Sequence, residues 1–86
     1  MEIVFLPKAY QDLTFWIKSG NKTILKKIAA LIADISKNPK TGIGKPEQLK
    51  HELQGFWSRR INQEHRIVYE IKNNTTIEIF SLKGHY

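Results

Sequence analysis

Residues 45–66 of this chain, from Lys45-Pro46-Glu47 to Glu64-His65-Arg66, crowd carboxylates, cations, two histidines and two large aromatics around Gly55. Little of that polar chemistry is needed to build a core. Glu47 sits between Lys45 and Lys50. Neighbouring cations favour an ionised carboxylate, ready to take a proton at neutral pH; an ordinary surface glutamate held among lysines is the plain alternative. Arg60 and Arg66 fall on what read as adjoining strands. A guanidinium matches phosphate geometry with paired donors, so two of them on paired strands can converge on one phosphate. A lone strand arginine is more often a solvated charge, but Arg59 stands beside these two. His85 is the penultimate residue. Chain ends usually fray, yet this tail directly follows a predicted strand that can hold His85 beside the arginines. His51 and His65 have no metal-site spacing, and no H-E-x-x-H pattern exists. Glutamate, histidine, two arginines and a tyrosine, without a Ser or Cys nucleophile motif, suit one reaction. A base removes the proton of an RNA 2′-hydroxyl, which attacks the adjacent phosphate. An arginine stabilises the charge that develops there, and an acid protonates the leaving 5′-oxygen. The substrate supplies its own nucleophile, so neither a metal nor a cofactor is expected.

The elements that must position these groups are legible along the chain. Residues 2–6 are β-branched and aromatic and read as a short strand; Pro7 either ends it or opens the next helix. Across 8–18, Ala9, Leu13 and Trp16 recur at helical spacing, with Tyr10 and Ile17 on the flank. Gly20 suits a C-terminal cap and Asn21 an N-cap. Ile24, Ile28, Leu31 and Ile35 predict a second helix over 22–37, ending at Lys37-Asn38-Pro39. Two prolines and two glycines make 38–46 a loop. Residues 47–53 are ambiguous between turn and strand. The rest reads as three strands, 56–61, 65–72 and 75–82, joined by turns at 62–64 and at Asn73-Asn74. In the middle strand Ile67, Tyr69 and Ile71 share one face, and Arg66, Val68 and Glu70 the other. The order β-α-α-β-β-β predicts an α+β fold with two N-terminal helices packed on one face of a mainly antiparallel sheet.

Composition bounds the partners. Eighty-six residues with 41% hydrophobic content predict one domain spanning 1–86. There is no cysteine, which rules out disulfides and thiolate chemistry and suits a reducing cytoplasm. The N-terminus lacks a basic segment before its short apolar run, and no stretch reaches the about 20 apolar residues a membrane helix needs. A soluble cytoplasmic protein without membrane association is expected. A net charge of +6, from 14 basic and 8 acidic residues, favours polyanionic partners. Nucleic acid, an anionic membrane and an acidic protein all fit that charge, as does a merely solvated lysine face.

The run Gly44-Lys45-Pro46-Glu47-Gln48-Leu49-Lys50-His51-Glu52-Leu53-Gln54-Gly55-Phe56-Trp57-Ser58-Arg59-Arg60-Ile61, then Glu64-His65-Arg66-Ile67-Val68-Tyr69 and a terminal His85-Tyr86, closely resembles the YoeB (Txe) toxins, within the wider RelE-like family of bacterial toxin–antitoxin systems. The resemblance covers essentially the whole chain. It implies a microbial-ribonuclease-like fold of RelE type and an mRNA endoribonuclease that acts on the ribosome and shuts down translation. Matched by motif, it implies that Glu47 is the general base, His85 the general acid and Arg66 the transition-state arginine. Lys50 and Arg60 match auxiliary cations, and Tyr86 a terminal tyrosine that orients substrate. Lys45 and Arg59 are further expected to contact RNA or the ribosome, on charge and position alone. The resemblance also implies homodimers, a YefM-like antitoxin, and contact with DNA only through that antitoxin. Two alternatives stand beside the nuclease: a non-catalytic basic RNA- or ribosome-binding module, and a co-repressor whose role is to pair with the antitoxin.

Overall fold

A computed structural model describes residues 1–85 of the chain. Strand β1 (Glu2–Phe5) leads into helix α1 (Pro7–Ser19) and helix α2 (Lys22–Lys37). Then come β2 (Glu47–Gln48), a single 3-10 turn (His51–Leu53), β3 (Phe56–Arg60), β4 (Arg66–Lys72) and β5 (Thr76–Ser81). Pro7 opens α1 rather than closing β1, because the first helical turn does not need the N–H that proline lacks. Gly20 caps that helix with a left-handed φ of 69°. The Asn21 side chain caps α2 by accepting from the Ile24 N–H.

The sheet has five strands in the order β1-β5-β4-β3-β2. All pairs are antiparallel except β1 with β5. The expected α+β architecture is therefore present, with two additions. The ambiguous stretch after residue 46 supplies the edge strand β2, and the first strand joins in parallel. The whole of the chain between them separates β1 from β5, so no tight hairpin holds this pair antiparallel, and the two strands run in parallel.

Both helices cover one face of the sheet. Ala9 and Trp16 of α1, and Ile24, Ile28, Leu31 and Ile35 of α2, meet Ile67, Tyr69, Ile77 and Ile79 in one apolar cluster. Tyr10 and Ile17, expected on the flank of the apolar stripe, are instead 65% and 58% exposed. Asp12 is buried between Ala9 and Trp16. Among the described residues, the opposite face of the sheet carries no helix. It holds Glu47, Ser58, Arg60, Arg66, Glu70 and Glu78, with the Phe56 and Phe80 rings 5.6 Å apart.

Register along β4 and β5 slips once. Ile79 faces Tyr69, but Ser81 faces Val68, so β5 carries an extra residue there. Such a bulge bends the strand and re-aims the side chains beyond it. Ser81 follows Ile77 and Ile79 on the helix side, where its hydroxyl donates to the Asp12 carboxylate.

Candidate active site

Strand register assembles three of the expected groups on the open face. Glu47 pairs with Ser58, so both side chains point the same way. Arg60 lies two residues further along β3, on the same face. Arg66 stands directly opposite Arg60. Directly paired residues have Cβ atoms about 5 Å apart and diagonal neighbours about 7–8 Å, so Arg60 stands between Arg66, opposite it on β4, and Glu47, diagonal to it on β2. Like charges facing each other across strands are destabilising. An exposed Arg60 opposite a half-buried Arg66 therefore makes a site that gains from an anion.

Arg66 is held firmly. Its Nη1 donates to the carbonyls of Asn62, Gln63 and His65 at 2.8, 3.2 and 3.1 Å. All three bonds use one terminal nitrogen and tie the guanidinium to the β3–β4 turn. The turn itself is fixed by the Asn62 side chain, which accepts from the backbone N–H groups of Glu64 and His65.

Beside Glu47 the edge of the sheet opens into a groove of about 320 Å³ lined by Glu47, Gln48, Leu49, Lys50, His51 and Leu53. Lys50 is exposed on it. Lys45, also exposed, has a left-handed φ of 54°. Non-glycine residues adopt that conformation only when surrounding structure enforces it. The preceding Gly44 supplies the constraint. Its carbonyl accepts the Arg60 N–H at 2.6 Å, and a Cβ on it would lie 2.7 Å from Leu31 Cδ2.

The C-terminal segment is clamped as far as Gly84. Trp16 Nε1 donates to the Leu82 carbonyl at 3.0 Å. Asp12 accepts from the Leu82 N–H at 3.0 Å. Lys8 bridges Asp12, Ser81 and the Lys83 carbonyl. Beyond the end of β5, the Arg66 N–H donates to the Gly84 carbonyl at 3.0 Å, and the Gly84 N–H donates to His65 Nδ1 at 3.1 Å. His85, exposed, comes directly after. Its backbone is thus one residue removed from the strand end that carries Arg66. Tyr86 lies outside the described residues.

Arg59 does not belong to this face. It was expected to contact RNA or the ribosome, but its side chain is fully buried. Strand alternation turns it to the helix side, away from Arg60. There its five N–H donors meet five acceptors: the Tyr69 hydroxyl, Asp34 Oδ2, and the carbonyls of Asn38, Thr41 and Ile43. The guanidinium is a hub that pins the loop leading to Glu47. Its hydrogen bond to Asp34, helped by the Ile43 N–H, holds that carboxyl below its ordinary value. Burial pushes the Tyr69 phenol up, against the opposing pull of Arg59. The phenol therefore stays protonated, and it donates to the Pro39 carbonyl at 2.6 Å.

Sequence reasoning overlooked Asp12, Trp16, Ser81 and His65 as holders of the tail, and Asp34 as the partner of Arg59. One signal was available. Asp12 is three residues after Ala9 and four before Trp16, so it is a lone acid inside the apolar stripe. A buried carboxylate demands partners, and the tail supplies them.

A model of the YoeB-like toxin of bacterial type II toxin–antitoxin systems matches residues 5–86. The chain belongs to the YoeB toxin family. The YoeB toxin of Synechocystis is 45% identical over 86 residues, covering all of this chain and 98% of its own length. Among solved structures, the YoeB/ParE toxin from Agrobacterium tumefaciens superposes with a TM-score of 0.93 at 36% identity, each chain fully covered. Two structures from Staphylococcus aureus also superpose over the whole chain and 98% of their own. One is a YoeB dimer, with a TM-score of 0.88 at 44% identity. The other is a heterotetrameric YoeB–YefM toxin–antitoxin complex, with a TM-score of 0.87 at 45% identity. The chain is a YoeB toxin of a type II toxin–antitoxin system with the expected fold. No helix among the described residues is long and apolar enough to cross a membrane.

Proposed function

We propose that this YoeB toxin is a ribosome-dependent mRNA endoribonuclease that arrests translation. The observation that supports it most is the convergence of Glu47, Arg60 and Arg66 on one open sheet face, with the residue before His85 bonded to the Arg66 backbone. Glu47 takes the proton of a 2′-hydroxyl. The 2′-oxygen bonds to the adjacent phosphorus and the bond to the 5′-oxygen breaks. Arg66, with Arg60 and Lys50, stabilises the charge that builds on the phosphate. His85 gives its proton to the departing 5′-oxygen. The products are a 2′,3′-cyclic phosphate and a free 5′-hydroxyl. The mechanism uses no metal, because the substrate carries its own nucleophile and side chains serve as both proton carriers. Tyr86 orients the substrate, and Lys45 contributes charge to the RNA or ribosome surface.

The chain acts as one domain in the cytoplasm. A relative's complex with YefM and another's dimer support a YefM-like antitoxin and a homodimer as partners here, with DNA engaged only through the antitoxin. The decisive experiment maps the 5′ ends of mRNA in a translating extract containing excess EDTA. Wild type cuts; Glu47→Ala and His85→Ala do not, although both stay folded, since both residues are exposed. Undiminished cutting by either variant overturns the mechanism. A bound but intact message with wild type identifies a pure binding module instead.

A further inference from the structure

His65 stands outside the proton-transfer scheme, yet its ring is held on several sides. The Asn62 side chain fixes its backbone N–H, at 2.6 Å. Its own carbonyl accepts from the N–H groups of Ile61 and Asn62 at 3.0 and 3.3 Å. The imidazole lies edge-on to Trp16, with ring centroids 4.9 Å apart and planes at 76°. Its side chain is only 14% exposed. From that position Nδ1 accepts the Gly84 N–H at 3.1 Å. A nitrogen that accepts cannot also carry a proton, so this bond uses Nδ1 as the bare nitrogen of the ring.

Gly84 is gripped from both sides by consecutive residues. The His65 side chain takes its N–H, and the Arg66 backbone gives an N–H to its carbonyl. A φ of 118° lets one residue present both groups to that edge; residues other than glycine rarely adopt this conformation. The next residue is His85.

We propose that His65 is the positioning residue for the C-terminal acid: its Nδ1 fixes Gly84 and so sets where His85 meets the substrate. The catalytic half of this inference rests on the nuclease reading above. The clamp itself rests on the geometry alone. A general acid must lie within hydrogen-bond reach of the leaving oxygen, and a misplacement of about 1 Å can cost on the order of 100-fold in rate. Imidazole suits the task because it offers an acceptor at one edge and an apolar body to Trp16.

Two variants and two measurements test this. His65→Leu keeps an apolar group against Trp16 but has no acceptor. His65→Asn places its Oδ1 on the same stem, near the position of Nδ1. With programmed ribosomes in excess, the single-turnover cleavage rate is expected to fall about 10–100-fold for His65→Leu, with ribosome affinity unchanged. His65→Asn is expected to recover most of the loss. Amide exchange supplies a readout that does not depend on catalysis. Gly84 is expected to be protected in wild type and His65→Asn and to exchange fast in His65→Leu. The Leu82 N–H, held by Asp12, stays protected in all three and certifies the fold. Equal cleavage rates in the two variants, or Gly84 exchange in wild type as fast as in His65→Leu, overturn the proposal. A wild-type protein that cuts nothing removes the nuclease reading, while the exchange pattern still decides whether the clamp exists.

Discussion

Replacing Arg59 by lysine keeps the charge and removes the fork, and the outcome can be worked from the bonds. The guanidinium reaches five acceptors through five N–H groups. A lysine ammonium has three donors on one nitrogen. Even if it keeps Asp34 and two others, two acceptors lose a charged partner. Hydrogen bonds to charged groups contribute about 1.5–3 kcal/mol each. Asn38, Thr41 and Ile43 are exposed loop residues, so water can reach their freed carbonyls, and the lower end applies: about 3 kcal/mol in all. That is a large share of the about 5–15 kcal/mol that holds a domain together. For a domain of 60–100 residues, 1 kcal/mol moves Tm by about 4–8 °C. Thermal unfolding followed by far-ultraviolet circular dichroism should therefore place Arg59→Lys about 12–24 °C below wild type. A fall smaller than about 4 °C would refute the idea that this loop depends on a five-donor hub. Because the loop runs into Glu47, message cleavage should weaken in the folded variant too.

Tyr69→Phe strips the Pro39 carbonyl and Arg59 Nε of their shared partner. It should cost about 1–3 kcal/mol in urea unfolding; an unchanged midpoint would show the hydroxyl to be idle. Asp34 has a folded pKa lowered mainly by its hydrogen bond from Arg59. Its contribution is complete above the ordinary carboxylate value of about 3.9 and is lost as pH falls through the lower folded value. Acid titration of stability should accordingly be less steep for Asp34→Asn below about pH 4, and identical slopes would count against the linkage. Asp12→Ala removes the acceptor of the Leu82 N–H. Leu82 should then exchange faster and cleavage should drop while helix content is kept; a Leu82 amide as protected as in wild type would exclude Asp12 as the tail's anchor.

Much of the architecture could be read from local pattern. Ile24, Ile28, Leu31 and Ile35 lie on one helical stripe, and all four are buried as expected. Asn21 and Gly20 cap as their chemistry requires. The alternation in β4 correctly separated Arg66 from Ile67, Tyr69 and Ile71. The same alternation applied to β3 would have separated Arg59 from Arg60. The charge of Arg59 argued for the surface, and the partners that allow its burial come from a loop and a helix about 16 to 25 residues away. Tyr10 and Ile17 failed in the opposite sense. They are apolar enough for a core, but Asp12 holds the inward position because it has the tail to bind.

By itself the sequence determined the element types, the apolar faces and the identity of the groups able to do chemistry, because those depend on periodicity and on side-chain type. It also carried the resemblance to the YoeB toxins in the run 44–69 and the terminal pair. Tertiary structure alone decided which of those groups meet. Register set Glu47, Arg60 and Arg66 on one face and sent Arg59 to the other. A bulge in β5 and contacts from Asp12, Trp16 and His65 brought the last strand's continuation back along β4 to Arg66. No local propensity encodes those distances. They arise from pairing and burial between segments up to about 70 residues apart, where each polar group must find its partner only after the core has formed.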